Sequence, residues 1–147
     1  MSDDVFERIA EAAQDLNVKA DQVAHRVRDA EDALERAKAG YEVADSEPFY
    51  TEEYTTTASG LAGDTPDGPE PTITIVHEWK LAYLRYGSRF RICVRISTDD
   101  LPEEPQIKPV LDFDRQTRLR AVKRLPAFLE VIAQRLEEAA NSTNVWK

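Results

Sequence analysis

The chain has 147 residues, the length of about one domain, and its 34 Leu, Ile, Val and Phe residues are enough to support a core without metals or disulfides. Charged residues make up 32% and the net charge is −9, which points to a soluble globular domain with a heavily charged surface. No apolar run approaches the ~18 residues of a membrane helix, Met1 to Asp4 do not open a secretory signal, and the single cysteine, Cys93, excludes an intramolecular disulfide. A reducing, cytoplasmic setting is the expectation.

The charge is divided unevenly. Residues 1–72 carry 18 acidic and 6 basic side chains, a net of −12, whereas residues 73–147 carry 10 acidic and 13 basic ones, a net of +3. Such a division suits either an acidic arm with an external partner or two halves that attract each other.

Residues 3–39 read as one long helix within an N-terminal unit, 1–41. Ser2 suits the N-cap, Asp3, Asp4 and Glu7 complement the positive end of the dipole, and Gly40 falls where a left-handed C′ residue is wanted. The apolar positions Val5, Ile9, Ala12, Leu16, Ala20, Val23, Val27, Ala30, Leu34, Ala37 and Tyr41 follow steps of three and four. This is a heptad with one extra four-residue step between Leu16 and Ala20. Asn17, Val18 and Asp21 are the weakest helix formers nearby, so a bend or break is also open there. Thirty-seven helical residues span about 55 Å, against a diameter of roughly 40 Å for a compact domain of this size. The helix must project, fold back or pair. Leu16, Ala20, Val23, Val27, Ala30, Leu34 and Ala37 are the expected oligomerisation seam of a homodimer.

Residues 42–71 read as an acidic, turn-rich linker, with 64–71 a loop of Asp, Pro, Gly and Glu. Within it, Tyr50, Tyr54 and Thr55 to Thr57 suit a short edge strand. Residues 72–147 form the α+β body. Ile73, Ile75, His77, Trp79, Leu81 and Tyr83 alternate along one strand and Phe90, Ile92, Val94 and Ile96 along the next. Gly87-Ser88 between them suits a two-residue type II′ hairpin. That turn pairs Tyr86 with Arg89, Tyr83 with Ile92, Leu81 with Val94 and Trp79 with Ile96, and a slip of one residue would bring every arginine of the second strand into the core. Residues 98–110 read as a proline-punctuated loop. A last helix from about 112 to 140, capped by Asp112 or Asp114, carries the stripe Val122, Leu125, Leu129, Ile132 and Leu136, with Pro126 kinking it or opening a second helix. The fold class expected is α+β: a long heptad-bearing helix, an antiparallel sheet and a kinked helix packed on it.

Three features could carry function. Lys80, Arg89, Arg91 and Arg95 share one face of the hairpin with Tyr86, a surface suited to a carboxylate-rich protein or to phosphates, and Arg115, Arg118, Arg120, Lys123 and Arg124 could extend it. The competing reading pairs these arginines with the acidic helix. A net charge of −9 disfavours general nucleic-acid binding, whose affinity comes mainly from neutralising phosphates. The second feature is the acidic rod: Asp3, Asp4, Glu7, Glu11 and Asp15, then Asp21, Asp29, Glu31, Asp32 and Glu35. Repeated carboxylates on a rod can imitate a nucleic-acid backbone, in the manner of small phage or defence inhibitors. The third is the carboxylates Asp99, Asp100, Glu103, Glu104, Asp112 and Asp114, which lack the glycine turn of a calcium loop.

No catalytic constellation emerges: Cys93 and His77 fall on opposite faces of the hairpin, and the five glycines form no phosphate-binding loop. No cofactor or metal is expected. The leading expectation is a non-catalytic interaction module that forms a homo-oligomer through its first helix and presents the basic hairpin face or the acidic helix to another protein.

Overall fold

In a computed structural model of the chain, which describes residues 2–57, 72–98 and 105–142, helix α1 (Ser2–Arg36) precedes the short strand β1 (Val43–Ala44) and β2 (Tyr50–Thr57). The long β3 (Thr72–Tyr86), β4 (Arg89–Thr98), β5 (Gln106–Pro109), a 3-10 turn (Val110–Asp112) and helix α2 (Arg115–Ser142) follow. Every strand pairing is antiparallel. The sheet runs β1-β3-β4-β5, with β2 also on β3, so β1 and β2 share one edge. The architecture is α+β.

The hairpin has the register expected from its turn: Tyr86 faces Arg89, Tyr83 faces Ile92, Leu81 faces Val94 and Trp79 faces Ile96. Gly87 takes φ +70° while Ser88 stays out of the positive region, the pattern of a type II′ turn. Both helices pack on the face that carries Leu81, Tyr83, Ile92 and Val94. The core there gathers Val23 and Val27 of α1 with Ala121, Val122, Leu125, Phe128 and Ile132 of α2. Each fully buried large apolar side chain contributes roughly 1.5–3 kcal/mol.

Four expectations need correction. The helix ends at Arg36, and its left-handed residue lies two before Gly40: Lys38 takes φ 57°, while Ala39 N–H bonds Leu34 C=O and Lys38 N–H bonds Glu35 C=O, both at 3.0 Å. This is a Schellman cap with Lys38 at C′. Ala39 is thereby buried, and that burial, not the glycine, fixes the stop. Ser2 is itself helical; its side chain and residues 64–71, expected to form a loop, lie outside the described residues.

Residues 43–44 and 50–57, within the expected linker, are strands of the sheet. Val43 is buried opposite Tyr83, and β2 pairs over its whole length, Tyr50 with Trp79 through Thr57 with Thr72. The edge strand expected from Tyr50, Tyr54 and Thr55 to Thr57 is thus present, and the acidic pair Glu52-Glu53 within it stays exposed at the edge. Likewise 106–109 is a strand on β4, and Pro109 is tolerated because it ends an edge strand. Of the two candidate caps for α2, Asp114 serves: its carboxylate accepts Thr117 N–H at 3.0 Å, and hydrogen bonding from the Thr117 side chain first, with that backbone bond second, holds its pKa below the usual carboxylate range. The helix continues through Pro126 as one element.

Candidate interaction surfaces

The helix α1 divides at Ala20. From Asp3 to Lys19 every residue is exposed, including Val5, Phe6, Ile9, Leu16 and Val18, whose exposures run from 41% to 67%. From Ala20 onward the same stripe is covered: Ala20, Val23 and Val27 are buried, and Ala30 and Leu34 pack partly buried against the core, whereas Ala37 is exposed. Of the seam residues expected to meet a second chain, Ala20, Val23, Val27, Ala30 and Leu34 are therefore occupied within their own chain. Leu16 stays bare, on the same helical face as Val5 and Ile9.

The packed half is fastened by charge. Glu31, 4% exposed at its side chain, accepts the Ile92 backbone N–H at 2.8 Å and Arg91 Nε at 3.3 Å. β5 pairing stops at Cys93 opposite Pro109, so Ile92 N–H lies just beyond the end of that edge strand, and the carboxylate supplies the acceptor that buried N–H groups require. Arg89 Nη2 approaches Glu35 Oε2 at 3.2 Å and Asp32 Oδ1 at 3.6 Å. Three carboxylates of the acidic rod, Glu31, Asp32 and Glu35, thus meet two cations of the hairpin face. The division of charge between the two halves of the sequence is in part the attraction that docks them.

What remains of the basic hairpin face is smaller than its residue list. Lys80 pairs with Glu78 at 3.5 Å, Tyr86 is 42% exposed, and Arg95 is half-buried with its Nε lacking a hydrogen-bond partner. Ala82 and Cys93 face each other on this side and are fully buried. Burial, with the Glu31 charge as a second cause, pushes the Cys93 thiol up to about 11. A thiol of that pKa is not a nucleophile at neutral pH, and His77, paired with Thr98, sits on the helix-facing side.

The basic cluster at the start of α2 is also partly engaged. Arg124 forks onto Asp45, Nε to Oδ2 at 2.7 Å and Nη2 to Oδ1 at 2.9 Å, and reaches Glu47 at 3.3 Å. This buried fork ties β1 to α2. Arg120 stacks over the Tyr50 ring, 3.8 Å from its centroid. Tyr50 belongs to an aromatic row that sequence reasoning had not assembled: Tyr50–Trp79, Trp79–His77 and His77–Tyr54, with ring centroids 5.0, 6.0 and 5.2 Å apart. Its signal was present in the alternation of Tyr50 and Tyr54, but the register of β2 on β3 was needed to place those rings beside Trp79 and His77.

Asp112 ends the 3-10 turn and Asp114 caps α2; Asp99, Asp100, Glu103 and Glu104 lie outside the described residues. Among the described residues, no helix is long and apolar enough to cross a membrane. Comparisons with protein-family models, with curated proteins and with solved structures returned no match to this chain.

Proposed function

We propose that this protein is a non-catalytic interaction module that self-associates through the N-terminal half of α1. The observation that carries this reading is the bare stripe Val5, Ile9 and Leu16, with Phe6 beside it, on a helix whose next four turns bury the same face. A four- to five-turn helix standing alone in water is marginal, and large apolar side chains gathered on one face of it mark a contact surface. Self-association would leave two surfaces for a further, unidentified protein: the open side of the hairpin, with Lys80, Tyr86 and Arg95, and the acidic back of the arm, with Asp3, Glu7 and Glu11.

The other readings draw on less. Nucleic-acid binding through the hairpin face would need Arg89 and Arg91, which are engaged by α1. Mimicry of a nucleic acid by the acidic rod would lose Glu31, Asp32 and Glu35 to the same ion pairs and keep only the carboxylates of the arm.

The test is light-scattering mass on a sizing column, at low and high salt, for the full chain and for a full-length Ile9→Asp/Leu16→Asp variant. The expected result is a salt-resistant dimer at tens of micromolar that becomes a monomer in the variant, with thermal unfolding of the body unchanged. A wild-type chain that stays monomeric at high micromolar concentration would overturn the reading.

A further inference from the structure

The arm carries a charge order that distinguishes the two ways in which a second copy could lie along it. At about 100° per residue, Val5, Ile9, Ala12 and Leu16 form one stripe. Phe6, Ala10, Ala13 and Asn17 flank it on one side and are uncharged. On the other side Arg8, Asp15 and Lys19 flank the stripe, with Asp4 and Glu11 further round the helix; Asp15 and Lys19 are both exposed and bond each other at 3.0 Å. Reversed end to end, Arg8 exchanges with Asp15 and Asp4 with Lys19, while Glu11 stands near the centre without an opposite charge.

We infer that the arm pairs antiparallel with a second copy of this chain, about a two-fold axis between Ala10 and Glu11. The inference rests on the self-association proposed above and adds its direction and register. Setting Ile9 against the partner's Ala12 matches a large side chain to a small one at the centre of the stripe, and Val5 meets the partner's Leu16 at each end. The same register places Phe6 over the partner's Ala13, sets Arg8 beside the partner's Asp15 and brings Asp4 towards the partner's Lys19. Symmetry makes each of these contacts twice. A parallel in-register pair would instead lay each charged flank against an uncharged one, since the flanks that meet then differ, and it would set Ile9 on Ile9 and Ala12 on Ala12. The body of each chain begins at Ala20, beyond the end of the paired segment, so the register leaves both bodies room.

The test is a charge swap read by light-scattering mass in low salt, on full-length chains. Arg8→Glu alone places two carboxylates beside two carboxylates, and Asp15→Arg alone places two cations beside two cations. Each variant is expected to dimerise roughly tenfold more weakly than wild type. An equimolar mixture of the two restores opposite charges at every such contact, so dimerisation is expected to return to near the wild-type strength. In the same background, mixing a Phe6→Cys chain with an Ala13→Cys chain is expected to give the mixed 6–13 disulfide, with the buried Cys93 silent. A wild-type dimer whose variants are not rescued by mixing, or whose Phe6→Cys chains link to themselves, would overturn the antiparallel register while leaving self-association standing. A wild-type monomer would instead remove the reading on which it rests.

Discussion

The two halves of α1 carry the same apolar stripe and meet opposite fates. Residues 20–34 bury it against the sheet and α2, where Val27 is 1% exposed, whereas residues 3–19 leave it in water, where Ile9 is 55% exposed. Periodicity is alike in both, so periodicity alone does not say what covers a stripe. The difference lies in the charges around it. In the packed half Glu31, Asp32 and Glu35 reach Arg89 and Arg91, and Glu31 completes the hydrogen bonding of β4. In the arm, the sole ion pair among the described residues, Asp15–Lys19, is a local one on the helix itself.

Matched substitutions give the largest separation between the halves. Val27→Asp puts an unpaired carboxylate in the core and is expected to cost about 4 kcal/mol or more. Ile9→Asp, one face and five turns away, is expected to change urea unfolding of the monomer by no more than about 0.5 kcal/mol. Equal effects at the two sites would mean that the arm packs within its own chain.

The next effect is read by pH. The Cys93 thiol is pushed from an ordinary 9.0 up to about 11, so between those values the unfolded chain has released a proton that the folded one retains. Stability from this group is therefore present below pH 9 and declines as pH rises towards 11, by roughly 2–3 kcal/mol. The slope is expected to disappear in Cys93→Ala. Glu31→Gln removes the second cause of the shift, along with the charge facing Arg91. It is expected to cost about 2 kcal/mol in chemical denaturation and to make the Cys93 slope shallower. An unchanged stability would show that the carboxylate does not fasten the packed half.

The smallest effect sharpens the boundary of that half. Lys38 holds φ 57° at the C′ position, which costs a residue with a Cβ about 1 kcal/mol. Lys38→Gly is expected to raise stability by about that amount, whereas Gly40→Ala is expected to be nearly neutral, because a Cβ there would meet Phe90 at an ordinary 3.8 Å. The reverse ranking would mean that Gly40 is the true stop.

Much of the body was legible in the sequence because it follows from local rules. The Gly87-Ser88 turn sets a register, and the register sorts Trp79, Leu81, Tyr83, Ile92 and Val94 onto one face without reference to the rest of the chain. The α2 stripe, with a cap at Asp112 or Asp114, is legible for the same reason. The edge strands were legible in part: β2 was expected from Tyr50, Tyr54 and Thr55 to Thr57, whereas β1 and β5 were not. In β2 the exposed Glu52 and Glu53 break the apolar pattern, and β5 is four residues that follow Pro105 and end on Pro109; both form because β3 and β4 offer them a paired edge. The candidate surface was legible only as a stripe and a set of charges. Leu16 remains available, Ala20 to Leu34 do not, and two of the four cations of the hairpin face are engaged by the acidic helix.

By itself the sequence determined the elements whose hydrogen bonds and apolar faces are settled by neighbours in the chain: two long helices, one hairpin and its register. Only the tertiary structure decided how the long stripe of α1 is shared between its own core and the solvent. The physical reason is that helix periodicity records that a face is to be buried and carries no label for the surface that buries it. That assignment is made by distant groups, Glu31 on Ile92 and Arg91 above all, which meet only when the chain has folded.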